Sequence, residues 1–263
     1  AADGVQAHTR TLWRLLARHR LPVFLFVNKM DLPNPGPAEL LAALRRDLDG
    51  GCADFSSPET IAEAAATCEE TLLDRYLAGA TIADREVAEL IRRRALFPVC
   101  FGAALNLEGV DAFLEVLDRY TLSAVYPDTF AAQVFKVTRE GGDRLTFLKV
   151  TGGRLKVRTQ LSGAGWQEKV NQIRVYSGTR YRAVAEAEAG VVCAFTGLSR
   201  TRPGDTLGAA AQPLPPALEP VLTYRVLPPE GCDAFTLLRA LRQLEEEDPQ
   251  LRVLYHESLG EIH

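Results

Sequence analysis

Apolar and polar positions change their rhythm twice along the 263 residues, which divides the chain into three stretches. In the first, two continuous apolar runs stand out, Val-Phe-Leu-Phe-Val at 23–27 and Leu-Phe-Pro-Val-Cys-Phe at 96–101. Unbroken β-branched and aromatic runs predict strands buried on both faces of a parallel sheet. Helical spacing predicts a helix within residues 1–20, striped by Leu12, Trp13, Leu15 and Leu16 and capped by Thr9 or Asp3. Further helices are expected over 38–48 (Leu40, Leu41, Leu44 and Leu48 on one side), 58–79, 81–95 (Ile82, Val87, Leu90 and Ile91 inward) and 108–120. In the second stretch, about 130 to 210, the segments are short and β-rich. Strands are expected over 130–138, 144–151, 154–161, 169–176 and 191–197, with turn or bulge signals at 140–143 and Gly152-Gly153. Even-spaced short strands without helices predict a small closed barrel. The third stretch follows a linker, Gln212-Pro213-Leu214-Pro215-Pro216. It reads as strand 220–227, helix 233–247 with Phe235, Leu237, Leu238, Leu241 and Leu244 inward, and strand 251–255. That is one β-α-β unit, half of a ferredoxin-like fold.

Composition narrows the class without naming it. Hydrophobic content of 47% and charged content of 24% are those of a globular protein. A formal charge of −4 argues against a globally basic nucleic-acid binder but permits a local basic face. The five cysteines (Cys52, Cys68, Cys100, Cys193, Cys232) are odd in number and scattered, with no C-x-x-C, and read as reduced and cytosolic. The four histidines show no ligand spacing, so no metal site is expected. No apolar run reaches the ~20 residues of a membrane span, and no signal peptide is visible.

The candidate chemistry sits at the ends of the two apolar runs. The first leads directly into Asn28-Lys29-Met30-Asp31. In open α/β sheets ligands bind beyond the carboxyl ends of the strands. An ionised Asp31 can accept from both N1–H and N2–H2 of guanine, whereas adenine lacks the C2 amino group and would leave the carboxylate unpaired. A site built this way rejects the wrong base by ~10⁴-fold or more. Asn28 can place its amide on the O6/N7 side and tie neighbouring loops together. Lys29 can lay its methylene stem along the base face. The alternative is a polar turn after a core strand. The second run exits into Gly102-Ala103-Ala104-Leu105, small residues that let backbone N–H groups approach a ligand, with the Ala104 N–H expected on guanine O6. Two basic runs read first as solvated surface. Arg92-Arg93-Arg94 ends a helix. Arg154, Lys156 and Arg158 alternate on one predicted strand face, with a phosphate-contacting stripe as the alternative reading.

These residues together carry a resemblance. The chain resembles a middle section of a translational GTPase of the elongation factor G type, closest to the tetracycline-resistance ribosomal protection branch. The resembling segments are Gly4-Val5-Gln6-Ala7-His8-Thr9-Arg10, Asn28-Lys29-Met30-Asp31, and Leu96-Phe97-Pro98-Val99-Cys100-Phe101-Gly102-Ala103-Ala104. Gly204-Asp205-Thr206-Leu207, Glu246-Glu247-Asp248-Pro249 and Gly260-Glu261-Ile262-His263 extend it over essentially the whole chain. The resemblance implies the C-terminal part of a P-loop GTP-binding domain (1–122), a translation-factor β-barrel (123–213) and the start of a ferredoxin-like third domain (214–263). It implies GTP or GDP as ligand, with the base read by Asn28, Lys29, Asp31, Ala103, Ala104 and Leu105. Mg²⁺ is implied for the intact parent only. The implied partners are ribosomal RNA and ribosomal proteins, in the cytoplasm and without a membrane.

Two residues depart from the family pattern. Ala103 stands where a serine is usual, and His8 where a glutamine is frequent. The sequence contains no G-x-x-x-x-G-K-[ST] and no Asp-x-Pro-Gly-His. Phosphoryl transfer depends on cradling phosphates and magnesium, so these residues are expected to carry no catalytic group and to bind nucleotide weakly. The strands that flank 23–27 in such a fold are expected to be missing, leaving an edge open to self-association or disorder. The alternative function is a non-catalytic ribosome- or RNA-binding module.

Overall fold

The fold is taken from a computed structural model that describes residues 1–263 apart from 2, 164 and 210–219. The linker predicted at 212–216 lies outside the described residues. Two compact units divide between Ser123 and Ala124.

The first unit is an α/β sandwich. Its helices are α1 (Ala7–Arg18), α2 (Pro37–Asp47), α3 (Pro58–Ala66), α4 (Glu70–Leu77), α5 (Asp84–Arg92) and α6 (Val110–Tyr120). They pack on a parallel sheet of β1 (Leu25–Val27), β2 (Cys52–Asp54) and β3 (Phe97–Phe101), in the order β1-β3-β2. Alternation along β3 builds two cores. Phe97 and Val99 face Trp13 of α1 and the leucines of α2, while Leu96 and Cys100 face the core of α3 to α6.

The central strand is thus buried on both faces as predicted, and β1 differs. All three of its residues are half-buried, because no strand among the described residues pairs with its outer edge. The cap of α1 is Gln6, with no side-chain bond, and Thr9 lies inside the helix. The helix expected over 58–79 breaks after Ala66. A straight helix of that span would be about 33 Å long, and the bend lets Ile61, Ala65 and Leu72 reach one core. The arginine run is only partly solvated surface. Arg92 pairs with Glu89 and Arg93 with Glu69. Arg94, at φ 63°, lies over Trp13 and Phe97 and donates to the Leu21 carbonyl at 2.5 Å.

The second unit centres on one antiparallel core. Its strands are β4 (Ala131–Glu140), β5 (Asp143–Gly152), β6 (Arg154–Lys156), β7 (Gln160–Gly163), β8 (Trp166–Lys169), β9 (Gln172–Ser177), β10 (Arg180–Val184), β11 (Glu186–Glu188), β12 (Val192–Thr196) and β13 (Thr206–Gly208). A six-stranded sheet, β10-β9-β12-β5-β4-β13, curls over Val134, Leu148, Ile173, Phe195 and Leu207. The ribbons β6–β11 and β7–β8 complete the enclosure. The unit is barrel-like, built from a sheet and two ribbons instead of one continuous ladder.

The basic stripe predicted over Arg154, Lys156 and Arg158 does not form as one strand face. Arg158 lies at φ 67°, between β6 and β7, so only Arg154 and Lys156 share a strand face. Both stand within 4 Å of Glu186, and Arg154 is as close to Glu188, on the paired strand. Carboxylates so placed compete with any phosphate.

After residue 219 comes α7 (Ala234–Glu247), capped by Asp233, which accepts from the N–H groups of Phe235 and Thr236 at 3.0 Å. The strand expected over 220–227 reduces to one bridge, Val226 to Ile262. The strand expected over 251–255 begins as a 3₁₀ turn at Pro249–Leu251 and yields β14 (Tyr255–His256), paired with β15 (Glu261–Ile262). These short pieces cover little of α7. Leu237, Leu238 and Leu241 are half-buried, and Phe235 and Leu244, expected inward, are exposed. Glu246 fastens α7 to the barrel through Arg139 (3.0 Å) and Arg144 (3.3 Å).

Candidate guanine-reading site

The site forms where β1 and β3 end side by side. Parallel pairing places Val27 opposite Phe101 and delivers both following loops to the same mouth of the sheet. The ladder continues past the strands. The Gly102 N–H donates to the Val27 carbonyl, and the Met30 N–H donates to the Gly102 carbonyl, both at 3.1 Å. Between those bonds Lys29 turns through φ 64°, which reverses the chain and leaves its side chain exposed.

Asn28 joins the two loops. Its Oδ1 accepts from the Lys29 N–H at 2.8 Å and from the Ala104 N–H at 2.9 Å. Two N–H donors at one atom identify it as the oxygen, so Nδ2 points away from them. The Ala104 N–H, expected on guanine O6, is therefore already donated to Asn28. Ala103 is buried, and its N–H and carbonyl both pair with Glu108 (3.0 and 3.1 Å), so it braces the loop and offers no free donor. Leu105 is 93% exposed on the 3₁₀ turn Ala104–Asn106 at the loop's outer side. Asp31 is exposed, and its carboxylate bonds to no group among the described residues, so both oxygens are open to a ligand.

Two contributors, Asn34 and Glu108, escaped sequence reasoning. Asn34 donates to the carbonyls of Met30 (3.1 Å) and Leu32 (2.7 Å) and accepts from the Gly36 N–H at 2.9 Å, which fixes the loop carrying Asp31. An Asn before Pro-Gly, able to form an Asx turn, was the available signal. Glu108 acts through its backbone, so its side chain gave no signal. Gly102 is forced by space, since an added Cβ would lie 2.2 Å from the Glu108 carbonyl oxygen and 2.7 Å from the Phe26 ring. Beneath the loop, burial pushes the Cys100 thiol up to about 11, which keeps it protonated and unreactive.

The first loop offers an exposed carboxylate, an exposed cation and an amide N–H₂ within four consecutive residues at the sheet's carboxyl end. That set suits a planar base with an N–H edge. It includes no phosphate cradle, and no group of three His, Cys, Asp or Glu residues among those described is placed to hold a metal.

Comparison with known proteins places the chain among translation elongation factors by similarity. The family model "Elongation factor Tu GTP binding domain" matches residues 1–123, and "Elongation factor G domain 2" matches residues 129–210. Elongation factor G of Amoebophilus asiaticus (strain 5a2) is 26% identical, the match covering 99% of this chain and 48% of the relative. Elongation factor G 2 of Syntrophus aciditrophicus (strain SB) is 24% identical, over 100% of this chain and 52% of the relative. A crystal structure of a protein from Thermus thermophilus superposes with a TM-score of 0.82 at 25% identity, covering 98% of this chain and 48% of that one. The chain spans about half the length of the curated relatives it matches.

Proposed function

Taking the chain as a member of the elongation factor G family of translational GTPases, we propose that its first unit reads the guanine base of GTP or GDP. The parent protein hydrolyses GTP on the ribosome. The observation that carries this reading is the Asn28–Ala104 bond of 2.9 Å, which holds the second loop against the one bearing a free Asp31. Asp31 accepts from guanine N1–H and N2–H2, Lys29 covers the base face, and the Asn28 N–H₂ group serves the O6/N7 side. Leu105 and the Ala103-Ala104 backbone wall the opening. The three parts 1–122, 123–213 and 214–263 act as base-reading domain, barrel and third-domain start.

Bound nucleotide supplies the phosphoryl group and Mg²⁺ its charge neutralisation, and no residue of this chain is assigned to either. The 263 residues therefore bind guanine nucleotide weakly and do not turn it over. Titration with fluorescent GDP and ADP analogues tests this directly. A preference for guanine that Asp31→Ala abolishes is expected, and equal affinities in the unaltered chain would overturn it. GTP hydrolysis at the rate of an intact factor would overturn the division of labour.

The tetracycline-protection branch is the finer reading. It rests on the resemblance of the quoted segments and is tested by whether the intact protein displaces tetracycline from ribosomes. The open edge of β1 pairs two copies of the chain in the absence of a covering strand. Sedimentation that stays monomeric across a wide concentration range would refute that pairing. A second reading, RNA binding without nucleotide, is favoured by one surface of the barrel unit.

A further inference from the structure

The outer face of the six-stranded sheet carries a row of four rings. Phe135 lies 6.4 Å from Phe147, Phe147 lies 5.3 Å from Tyr176, and Tyr176 lies 5.4 Å from Tyr181, centroid to centroid. Two local features build the row. The register of β4 against β5 slips between Val134 and Lys136, a bulge that leaves consecutive residues Phe135 and Lys136 both exposed. On β12, Ala194 stands opposite both Phe147 and Arg174, and a methyl at that position lets rings on either side of the strand meet. Phe135 is 51% exposed and Tyr181 45%, so neither ring is spent on the barrel core.

Cations accompany the rings. Lys136 Nζ lies 5.7 Å from the centroid of Phe147, and the Arg174 guanidinium lies 4.5 Å from that of Tyr181. Lys149, two residues beyond Phe147 on β5, shares its face. Neither Lys136 nor Lys149 has a carboxylate within 4 Å among the described residues, since the ion pairs of this region belong to Arg139, Arg144 and Arg174. The nearby acids are engaged. Asp143 holds Arg174 at 2.6 Å, and Glu140 accepts from the Tyr176 hydroxyl at 2.8 Å. What remains presented is a line of π faces flanked by two unpaired positive charges.

We propose that the row Phe135–Phe147–Tyr176–Tyr181 is a stacking surface for unpaired RNA bases, with Lys136 and Lys149 meeting the flanking phosphates. Exposed rings on a sheet face stack splayed bases, and every base has a π face to offer. A duplex hides those faces and would leave the rings idle. An acidic peptide would satisfy the lysines but brings no planar groups to match four rings. The inference rests on the RNA-contact part of the reading above and is independent of nucleotide.

Fluorescence anisotropy of labelled oligouridylate of about twelve nucleotides, a length suited to such surfaces, tests it with the 263-residue chain and no GTP. Phe147→Ala and Tyr181→Ala each weaken binding about tenfold. Tyr181→Phe keeps the ring and the affinity. Lys136→Ala lowers the salt slope by about one. Should Phe147→Ala perturb the fold by circular dichroism, Tyr181→Ala at the sheet edge decides. Equal affinity for single-stranded and duplex RNA, affinity unmoved by loss of the Tyr181 ring, or stronger capture of polyglutamate than of RNA would each overturn the proposal. Asp31→Ala leaves RNA affinity unchanged, so failure of guanine recognition and failure of this surface are read separately.

Discussion

The barrel core and the three-stranded sheet are built from the same kinds of residue and end in different states. Leu148, Val150, Ile173 and Phe195 on the curled sheet have no exposed surface, whereas every residue of β1 is half-buried. The difference lies in backbone pairing. The barrel unit closes its core with two ribbons of its own, while among the described residues β1 pairs on one side only. A strand whose outer edge is open shares its burial with whatever next approaches it. Of the two loops proposed to read guanine, the one bearing Asp31 hangs from that open strand and the other from its central neighbour β3, while the proposed RNA surface sits on the curled sheet.

This contrast can be broken by mutation. Phe195→Ala removes a sealed ring and should cost about 3–5 kcal/mol. Phe26→Ala on β1 should cost markedly less, about 1–2 kcal/mol, because part of that ring is already in water. Urea unfolding followed separately for each unit measures both, and equal costs would abolish the distinction. Next in size is Arg144→Met, at about 2–3 kcal/mol. Arg144 donates to the carbonyls of Leu198 (2.8 Å) and Thr201 (2.5 Å), which the substitution would leave without that donor, and to the Thr201 hydroxyl (3.0 Å) and Glu246, which keep Thr146 and Arg139 as partners. The same variant should loosen α7 from the barrel, seen as faster amide exchange in α7.

The smallest effect is acid-dependent. Burial pushes the Glu168 carboxyl up, but bonds from the Ser199 hydroxyl and the N–H groups of Ser199 and Arg200 outweigh it and hold the carboxyl below its ordinary 4.5. A depressed folded value stabilises above the unfolded pKa and is lost as pH falls through the folded one. The stability gap between the unaltered chain and Glu168→Gln should therefore close as pH drops below 4.5. A gap constant down to acid unfolding would remove Glu168 from the account.

Much of the first unit was legible because its signals are local. The run 96–101 carried enough apolar residues to mark a buried strand, and Asn28 to Asp31 followed its partner run without a gap. What escaped was short or distant. Cys52–Asp54 is too brief to show a period. The bond that gives Asn28 its place spans 76 residues. Arg154 and Lys156 looked free because Glu186–Glu188 had not been read as a strand. The α7 stripe was real as a pattern, yet periodicity shows which side is apolar and not whether anything lies on it.

Gly102 has a consequence out of proportion to its size. Its missing side chain is what lets its backbone lie against the Glu108 carbonyl and the Phe26 ring. Gly102→Ala would retain every side chain of the candidate site and yet force the Glu108 backbone and the Phe26 ring away from the strand end. Tolerance to mutation in this pocket is thus governed by a residue with no chemistry to lose, and a survey of its functional groups alone would overlook its most fragile point.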